Sequence, residues 1–463
     1  MLDLMEKLNA LVWGVPTLLL ITGVGLYLSI RTGFMQLRLF PQAVKLFLKT
    51  FTARNKTPNA VSPYRALCTA LAATVGTGNL AGVAGAITIG GPGAVFWMWV
   101  CAFLGMIIKC AEAVLAVRYR VQNRDGTYIG GPMYMISKSM GQRWSWLAGM
   151  YCFFGVVAAF GAGNATQVNT MVGGINSVIE AFGGRETLPT NLLIGIASGV
   201  LVLLLLSGGA IRIGQAAERL VPFAAVVYLL LGTGVLLVCH KNIPVAFMQI
   251  FKGAFDPKAV TGGVIGSLFI VARIGASRGV FTNEAGMGTA SIAHASAQTR
   301  HPVEQGLMGV IEVFIDTILI CTMTALVILC SNVPISYGTD MGVALTSAAF
   351  SAIYGSWVCV PLALILSCFA FATVLGWGLY GARCAQYLFG EHVWRKFIWI
   401  SAATVVLGSV LNTATVWLFS ETINGLMAIP NLIALAYLSP EFIRLLKDYK
   451  LFRRAHKNSM ACR

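Results

Sequence analysis

Thr74, Thr77 and Asn79 stand in the run ATVGTGNLAGVAGAITIG (Ala73 to Gly90), interleaved with Gly76, Gly78, Gly82 and Gly85 and otherwise among apolar residues. None of these side chains is ionisable, so the chemistry on offer is coordination by hydroxyls, an amide and main-chain dipoles. In lipid an unpaired backbone group costs several kcal/mol, and a broken helix is tolerated there only where it is buried in protein or lines a cavity. Half-helix ends at that depth present N–H and C=O groups to a small ion or a zwitterion. Thr77, Gly78 and Asn79 are placed to donate to a carboxylate. A second small-residue stretch, Ile274-Gly275-Ala276-Ser277-Arg278-Gly279, is expected to be interrupted as well, with Gly275, Ala276 and Ser277 accepting from an ammonium. A zwitterion carries no net charge, so dipoles suffice and no full ion pair has to be held in low dielectric. Close helix packing by small residues is the competing explanation of each stretch.

Charged residues at membrane depth are the other place to look for chemistry. Lys109 and Glu112 lie three apart on one helix, where a mutual pair is geometrically natural. Arg273 and Arg278 flank the second stretch, with Glu284 beyond it and Glu312 and Asp316 on the next span. An inner gate that exchanges these partners and an ordinary buried network both fit that placement. His294 and His301 fall in or beside a loop and are expected to be solvated. No zinc-ligand spacing, nucleophile elbow, phosphate loop or catalytic carboxylate pair is present, and Gly23 and Gly25 lack the strand–turn–helix context of a dinucleotide fingerprint. The eleven cysteines never form CxxC and read as scattered small core residues. No cofactor and no enzymatic activity are expected.

The elements that must position these residues are membrane spans. With 57% hydrophobic and 11% charged residues, the chain cannot assemble a water-soluble surface of ordinary charge density. At about 20 residues per span, apolar run length gives eleven spans: 11–30, 64–90, 93–117, 145–175, 190–207, 219–239, 259–283, 305–331, 357–382, 397–411 and 415–438. The N-terminus lacks the basic n-region and cleavage site of a signal peptide, so the first apolar run is expected to be retained as a helix. If the N-terminus is outside, twenty-five of the 33 Lys and Arg fall in inside segments or at their edges, whereas Lys7, Arg185, Lys241, Lys252 and Lys258 fall outside. This bias fixes the orientation and attributes the net charge of +16 to topology rather than to a nucleic-acid partner. Segments 34–50 and 440–457 are basic and amphipathic and read as helices lying on the inner membrane surface. With the first span set aside, five spans (64–239) precede five more (259–438), followed by a basic tail (439–463). An odd number in each half makes the halves opposite in orientation, the pattern of an inverted repeat within one domain, and interruptions in corresponding spans point to a site at the midplane.

Several motifs carry a resemblance. Gly90-Gly91-Pro92-Gly93-Ala94-Val95-Phe96-Trp97-Met98-Trp99, Asn283-Glu284-Ala285-Gly286-Met287-Gly288, Phe314-Ile315-Asp316-Thr317 with Cys321-Thr322, and Gly376-Trp377 with Tyr380-Gly381 resemble the signatures of the sodium:alanine symporters, also called the alanine or glycine:cation symporter family. The similarity runs over nearly the whole chain and keeps the motif order. It implies an all-α, leucine-transporter-like fold of two inverted five-helix repeats with one extra N-terminal helix. It also implies co-transport of sodium with a small neutral amino acid across a prokaryotic plasma membrane, the inner membrane, with the C-terminus cytoplasmic. By resemblance Gln167 adds a neutral hydrogen-bonding side chain to the pocket, and Thr373 with Trp377, one helical turn apart, completes it, Trp377 limiting side-chain size. For Gln167 an interhelical hydrogen bond, and for Trp377 an interface anchor, are the alternatives. The fold-level analogy places sodium against carbonyls near Ala73, Thr74 and Gly76 and the hydroxyl of Thr373, which is thus claimed for both roles.

Alanine and glycine are the favoured substrates, with serine or glutamine open, since the pocket depends on residues such as Met171 whose direction spacing does not give. A channel would call for rings of repeated subunits or a continuous polar stripe, and a membrane enzyme for a titratable cluster facing a pocket; the chain has neither feature.

Overall fold

The computed structural model describes residues 2–52, 61–123 and 126–461. Residues 53–60, between the first two expected spans, residues 124 and 125, after the expected span 93–117, and 462 and 463 of the tail lie outside the described residues. The fold is almost entirely helical. Helices α1 (Leu2–Val12), α2 (Val15–Thr32), α3 (Met35–Arg38) and α4 (Phe40–Thr52) precede a bent pair, α5 (Pro63–Thr74) and α6 (Ala81–Gly90). Then come α7 (Gly93–Tyr119), α8 (Pro132–Ser139), α9 (Ser145–Ala158), α10 (Thr166–Ala181), α11 (Leu188–Leu206) and α12 (Gly209–Val238). After α13 (Ile243–Phe255) and α14 (Pro257–Val260) a second interrupted pair follows, α15 (Leu268–Asn283) and α16 (Thr289–Ala295). The chain continues through α17 (Pro302–Val313), α18 (Thr322–Cys330), α19 (Gly342–Tyr354), α20 (Cys359–Phe389), α21 (Val393–Gly408) and α22 (Thr413–Ala461). A two-stranded antiparallel hairpin, Val121–Gln122 with Tyr128–Ile129, is an element the apolar pattern did not announce.

Eight helices among the described residues are long and apolar enough to cross a membrane, and the bent pair makes a ninth. The expected count of eleven includes two spans, 259–283 and 397–411, whose helices α15 and α21 have 16 residues each. The N-terminal span begins earlier than the apolar run suggests, because α1 and α2 together run from Asp3 to Thr32. At the centre lies α7, buried along nearly all its length and packed against α15, α17 and α2. The basic segment 440–457 is not a separate surface helix: it continues the last span within α22.

Local sequence explains the first interruption. Ser62 caps α5 by accepting from the Arg65 N–H, with Pro63 in the first turn where its missing donor is harmless. The helix stops at Thr74, Val75 and Gly76 are extended, a 3-10 turn covers Thr77–Asn79, and α6 leaves at 58° to α5. The second interruption is displaced from its expected place. Residues 274–279 are continuous helix within α15, and the break falls instead over Glu284–Gly288, where Glu284 (φ 53°), Gly286 (φ 92°) and Gly288 (φ 76°) adopt left-handed backbone. The small residues at 275 and 279 serve close packing. A Cβ at Gly275 would lie 2.4 Å from the Ala94 carbonyl oxygen and 2.6 Å from Trp97 Cβ, so glycine there lets α15 press against α7.

Candidate functional site

In a continuous helix the N–H groups of Gly76 and Thr77 would donate to the carbonyls of Ala72 and Ala73. Here the Gly76 N–H donates to Asn79 Oδ1 at 2.8 Å and the Thr77 N–H to Gln167 Oε1 at 3.4 Å, which releases those carbonyls from the helix ladder. Gln167 Oε1 also accepts from the Thr77 hydroxyl at 3.0 Å, while its Nε2 donates to the Ala162 carbonyl at 2.9 Å. That last bond ties the first turn of α10 back to a π-helical segment, Ala159–Ala165, which joins α9 to α10. Asn79 turns away from the cavity and ties the break to a second π segment, Phe314–Cys321, by donating to Asp316 Oδ1 at 2.6 Å and to the Asp316 carbonyl at 3.1 Å. The Thr324 hydroxyl in turn donates to the Asn79 carbonyl at 2.8 Å.

Around the break lies a nearly closed cavity of about 10 Å³, room for roughly one water. Ala73, Thr74, Gly76, Gly78, Gln167 and Trp377 line it, joined by Ala162, Phe281, Glu284 and Asn424. Thr373 abuts it, since a Cβ on Gly76 would meet Thr373 Oγ1 at 2.5 Å and Gln167 Oε1 at 3.2 Å. The Thr373 hydroxyl donates to the Phe369 carbonyl of its own helix at 3.0 Å. Trp377 seats its Cβ over Gly163, where any side chain would fall within 2.3 Å of it, and donates from Nε1 to Glu284 Oε1 at 2.8 Å. Glu284 also accepts from the Thr289 hydroxyl, so one carboxylate links the second break to the wall of the cavity.

The cavity is closed on one side by stacked groups. Phe281 stacks on Trp417 with centroids 5.0 Å apart, and the Arg278 guanidinium lies 5.1 Å from the Trp417 ring centroid. Arg278 pairs with Asp340 at 3.2 Å and Glu421 at 3.1 Å. Beyond this layer opens a vestibule of about 500 Å³ that Arg278, Asp340 and Glu421 share with Thr170 and Asn169.

Several expected roles are therefore corrected. Gly275, Ala276 and Ser277 line no part of the cavity, because α15 is unbroken there and Gly275 packs on α7. Thr77 and Asn79 hold the break through their side chains rather than facing the space. Met171 is buried in the core, apart from the cavity lining. Lys109 pairs with Glu312 at 3.3 Å, not with Glu112, whose Oε1 accepts from the N–H groups of Gly286 (2.9 Å) and Gly288 (3.1 Å) and from Asn431 Nδ2 (2.7 Å). Arg278 reaches Asp340 and Glu421 at the vestibule and exchanges nothing with Glu284, Glu312 or Asp316. His294 is fully buried rather than solvated, lying 2.8 Å from Glu312 Oε2 and 2.7 Å from Gln305 Nε2. Among the residues brought together, Glu284 was missed as part of the cavity. Its position at the head of Ala285-Gly286-Met287-Gly288, a stretch able to break a helix, was the available signal.

Comparison with known proteins agrees with this architecture. The family model described as sodium:alanine symporter family matches residues 1–462. The chain is 40% identical over 461 residues to the "Sodium/alanine symporter AgcS" of Methanococcus maripaludis, covering 98% of each protein. It is 35% identical to the "Probable sodium/glutamine symporter GlnT" of Bacillus subtilis, covering 97% of this chain and 91% of that protein. Among solved structures, the crystal structure of MhsT in complex with L-phenylalanine superposes with a TM-score of 0.60 at 14% identity, covering 84% of this chain and 98% of that one, which shows a shared leucine-transporter-like fold. A polytopic bundle, a helix broken around a small closed cavity and a family match over residues 1–462 converge: the chain belongs to the sodium:alanine symporter family, as a multi-pass membrane protein of sodium-coupled amino-acid symport and not an enzyme.

Proposed function

We propose that this protein imports alanine or glycine together with sodium by alternating access. The carrying observation is the break itself, where the Thr77 N–H and hydroxyl are held only by the neutral Gln167 amide beside a space walled by Gly76, Gly78 and the Trp377 indole, a setting for a small zwitterion. The substrate carboxylate takes the N–H groups at Thr77 and Gly78, displacing Gln167 Oε1 from Thr77 and receiving Gln167 Nε2 in its place. Its ammonium meets acceptors on the opposite wall, where the Glu284 carboxylate supplies charge that the continuous 275–277 helix does not. Sodium binds the released Ala73 carbonyl with main-chain oxygens of Thr74 and Gly76 and the Thr373 hydroxyl, a set of hard oxygens of the kind such a cation requires. The two halves, 64–239 and 259–438, act as inverted repeats. The N-terminus lies outside and the basic end faces the cytoplasm of a prokaryote, across its inner membrane, so the Arg278 layer is the outer closure.

Labelled alanine should accumulate against its gradient in proteoliposomes when only an inward sodium gradient is imposed. Equilibration without accumulation would instead mark a channel. A relative named for glutamine supports one rival substrate. Competition by unlabelled alanine, glycine, serine and glutamine decides between them, and stronger inhibition by glutamine than by alanine would overturn the assignment.

A further inference from the structure

On the face of the molecule where α2 ends, a groove of about 100 Å³ runs between the α2–α3 corner and the end of α22. Arg31, Arg38, Lys447, Lys450 and Arg453 line it. Lys447, Lys450 and Arg453 recur at intervals of three on α22 and so share one face. Among the described residues, none of the five has a carboxylate partner. Arg31 donates only to the Tyr27 hydroxyl at 3.1 Å, and Arg38 to the carbonyls of Gly33 at 3.2 Å and Thr32 at 3.4 Å. The nearby Glu441 is already engaged, by Arg444 at 2.6 Å and Arg118 at 3.5 Å. Five like charges around one space repel one another, and an anion relieves that repulsion.

The floor and rim of the groove say which anion. Met35, Leu39 and Leu446 line it as well, while Ile30 (65% exposed) at the end of α2 and Leu37 (59% exposed) on α3 are its exposed apolar neighbours in the chain. A polar anion in water would gain nothing from these apolar groups, whereas a lipid places a phosphate among the cations and acyl chains over the exposed side chains. Gln42 Nε2 donates to the Tyr449 hydroxyl at 2.7 Å and ties the α22 wall of the groove to α4 through neutral groups.

We propose that this groove is a binding site for an anionic phospholipid of the phosphatidylglycerol class, its phosphodiester held by the two arginines of the α2–α3 corner and the three cations of α22. The inference is independent of which amino acid is carried.

The test uses the full chain purified in neutral detergent, with dioleoylphosphatidylglycerol as probe and phosphatidylcholine and inorganic phosphate as the other arms. Native mass spectrometry reads retained lipid, and the unfolding midpoint reads stabilisation. Replacing Arg38→Gln, Lys450→Gln and Arg453→Gln together should weaken phosphatidylglycerol retention by roughly fivefold per charge, on the order of a hundredfold in all. The control triple Arg143→Gln, Arg395→Gln and Lys396→Gln, exposed cations outside the groove, should retain lipid like the parent. The charge-keeping set Arg38→Lys, Lys450→Arg and Arg453→Lys should do so too. Equal retention in the groove variant and the parent, or equal loss in the control, would overturn the site, and stabilisation of the parent by inorganic phosphate to the same extent would overturn the lipid as its occupant. Should the groove triple fail to fold, the three single substitutions carry the same comparison at about fivefold each.

Discussion

The two helix interruptions lie on opposite walls of one cavity and are held by different chemistry. At the first, the displaced N–H groups of Gly76 and Thr77 are taken by neutral amides, Asn79 and Gln167. At the second, the N–H groups of Gly286 and Gly288 are taken by the carboxylate of Glu112, itself held by Asn431 and fully buried. Neutral hydrogen bonds are worth roughly 1 kcal/mol net and can be exchanged for a ligand's, whereas a buried carboxylate that loses its donors is left uncompensated at a cost of several kcal/mol. The caps of the first break can therefore be exchanged at far lower cost than those of the second. The two breaks differ in what caps them, not in how many small residues they contain.

The contrast is tested most severely at Gly78. A Cβ there would approach Thr282 Cγ2 to 2.9 Å and Phe281 Cδ1 to 3.4 Å, so Gly78→Leu should force the Thr77–Asn79 turn off α15 and abolish uptake, a loss far larger than any fall in membrane abundance. Normal transport by this variant would remove the site from the first break. Next in size is Glu112→Ala, which strands two backbone donors and Asn431; it should lower stability by about 3–5 kcal/mol, read as lost abundance and a depressed unfolding midpoint, with Glu112→Gln recovering much of it. If Glu112→Ala instead left the midpoint unchanged and altered only uptake, the second break would be the exchanging one. Gln167→Leu should weaken apparent substrate affinity by about ten- to a hundredfold at near-normal abundance, because the bound carboxylate loses a donor. Equal affinity in the two proteins would return Gln167 to the role of interhelical glue. The smallest effect belongs to Thr373: Thr373→Val should raise the sodium concentration for half-maximal uptake about tenfold, and Thr373→Ser should stay close to the parent. Unchanged sodium activation in Thr373→Val would strike Thr373 from the cation site.

The first break was legible because threonine, glycine and asparagine together in an apolar run have few other uses. The second was misplaced by ten residues because Gly275 and Gly279 have the composition of a break and the job of a contact. Composition cannot separate the two, whereas the left-handed backbone at Glu284, Gly286 and Gly288 does. The same limit applied to charge. Spacing offered Lys109 its neighbour Glu112, but the partner it meets, Glu312, comes from α17, and His294 is drawn into the interior by that carboxylate. Pairings across helices depend on tertiary packing, which a one-dimensional reading of spans does not contain. Gln167 and Trp377 were named through the family resemblance rather than through spacing, and the structure sets both in the cavity wall.

The two π-helical segments, Ala159–Ala165 and Phe314–Cys321, carry a consequence of their own. Each inserts one residue beyond the α-helical repeat, which puts the helix beyond it about 100° out of phase with the helix before it. Each span is thereby a two-headed ruler, with one end graduated for the surrounding bundle and the other for the broken helix. Gln167 follows one phase slip directly and Asp316 lies within the other, and both reach the Thr77–Asn79 turn.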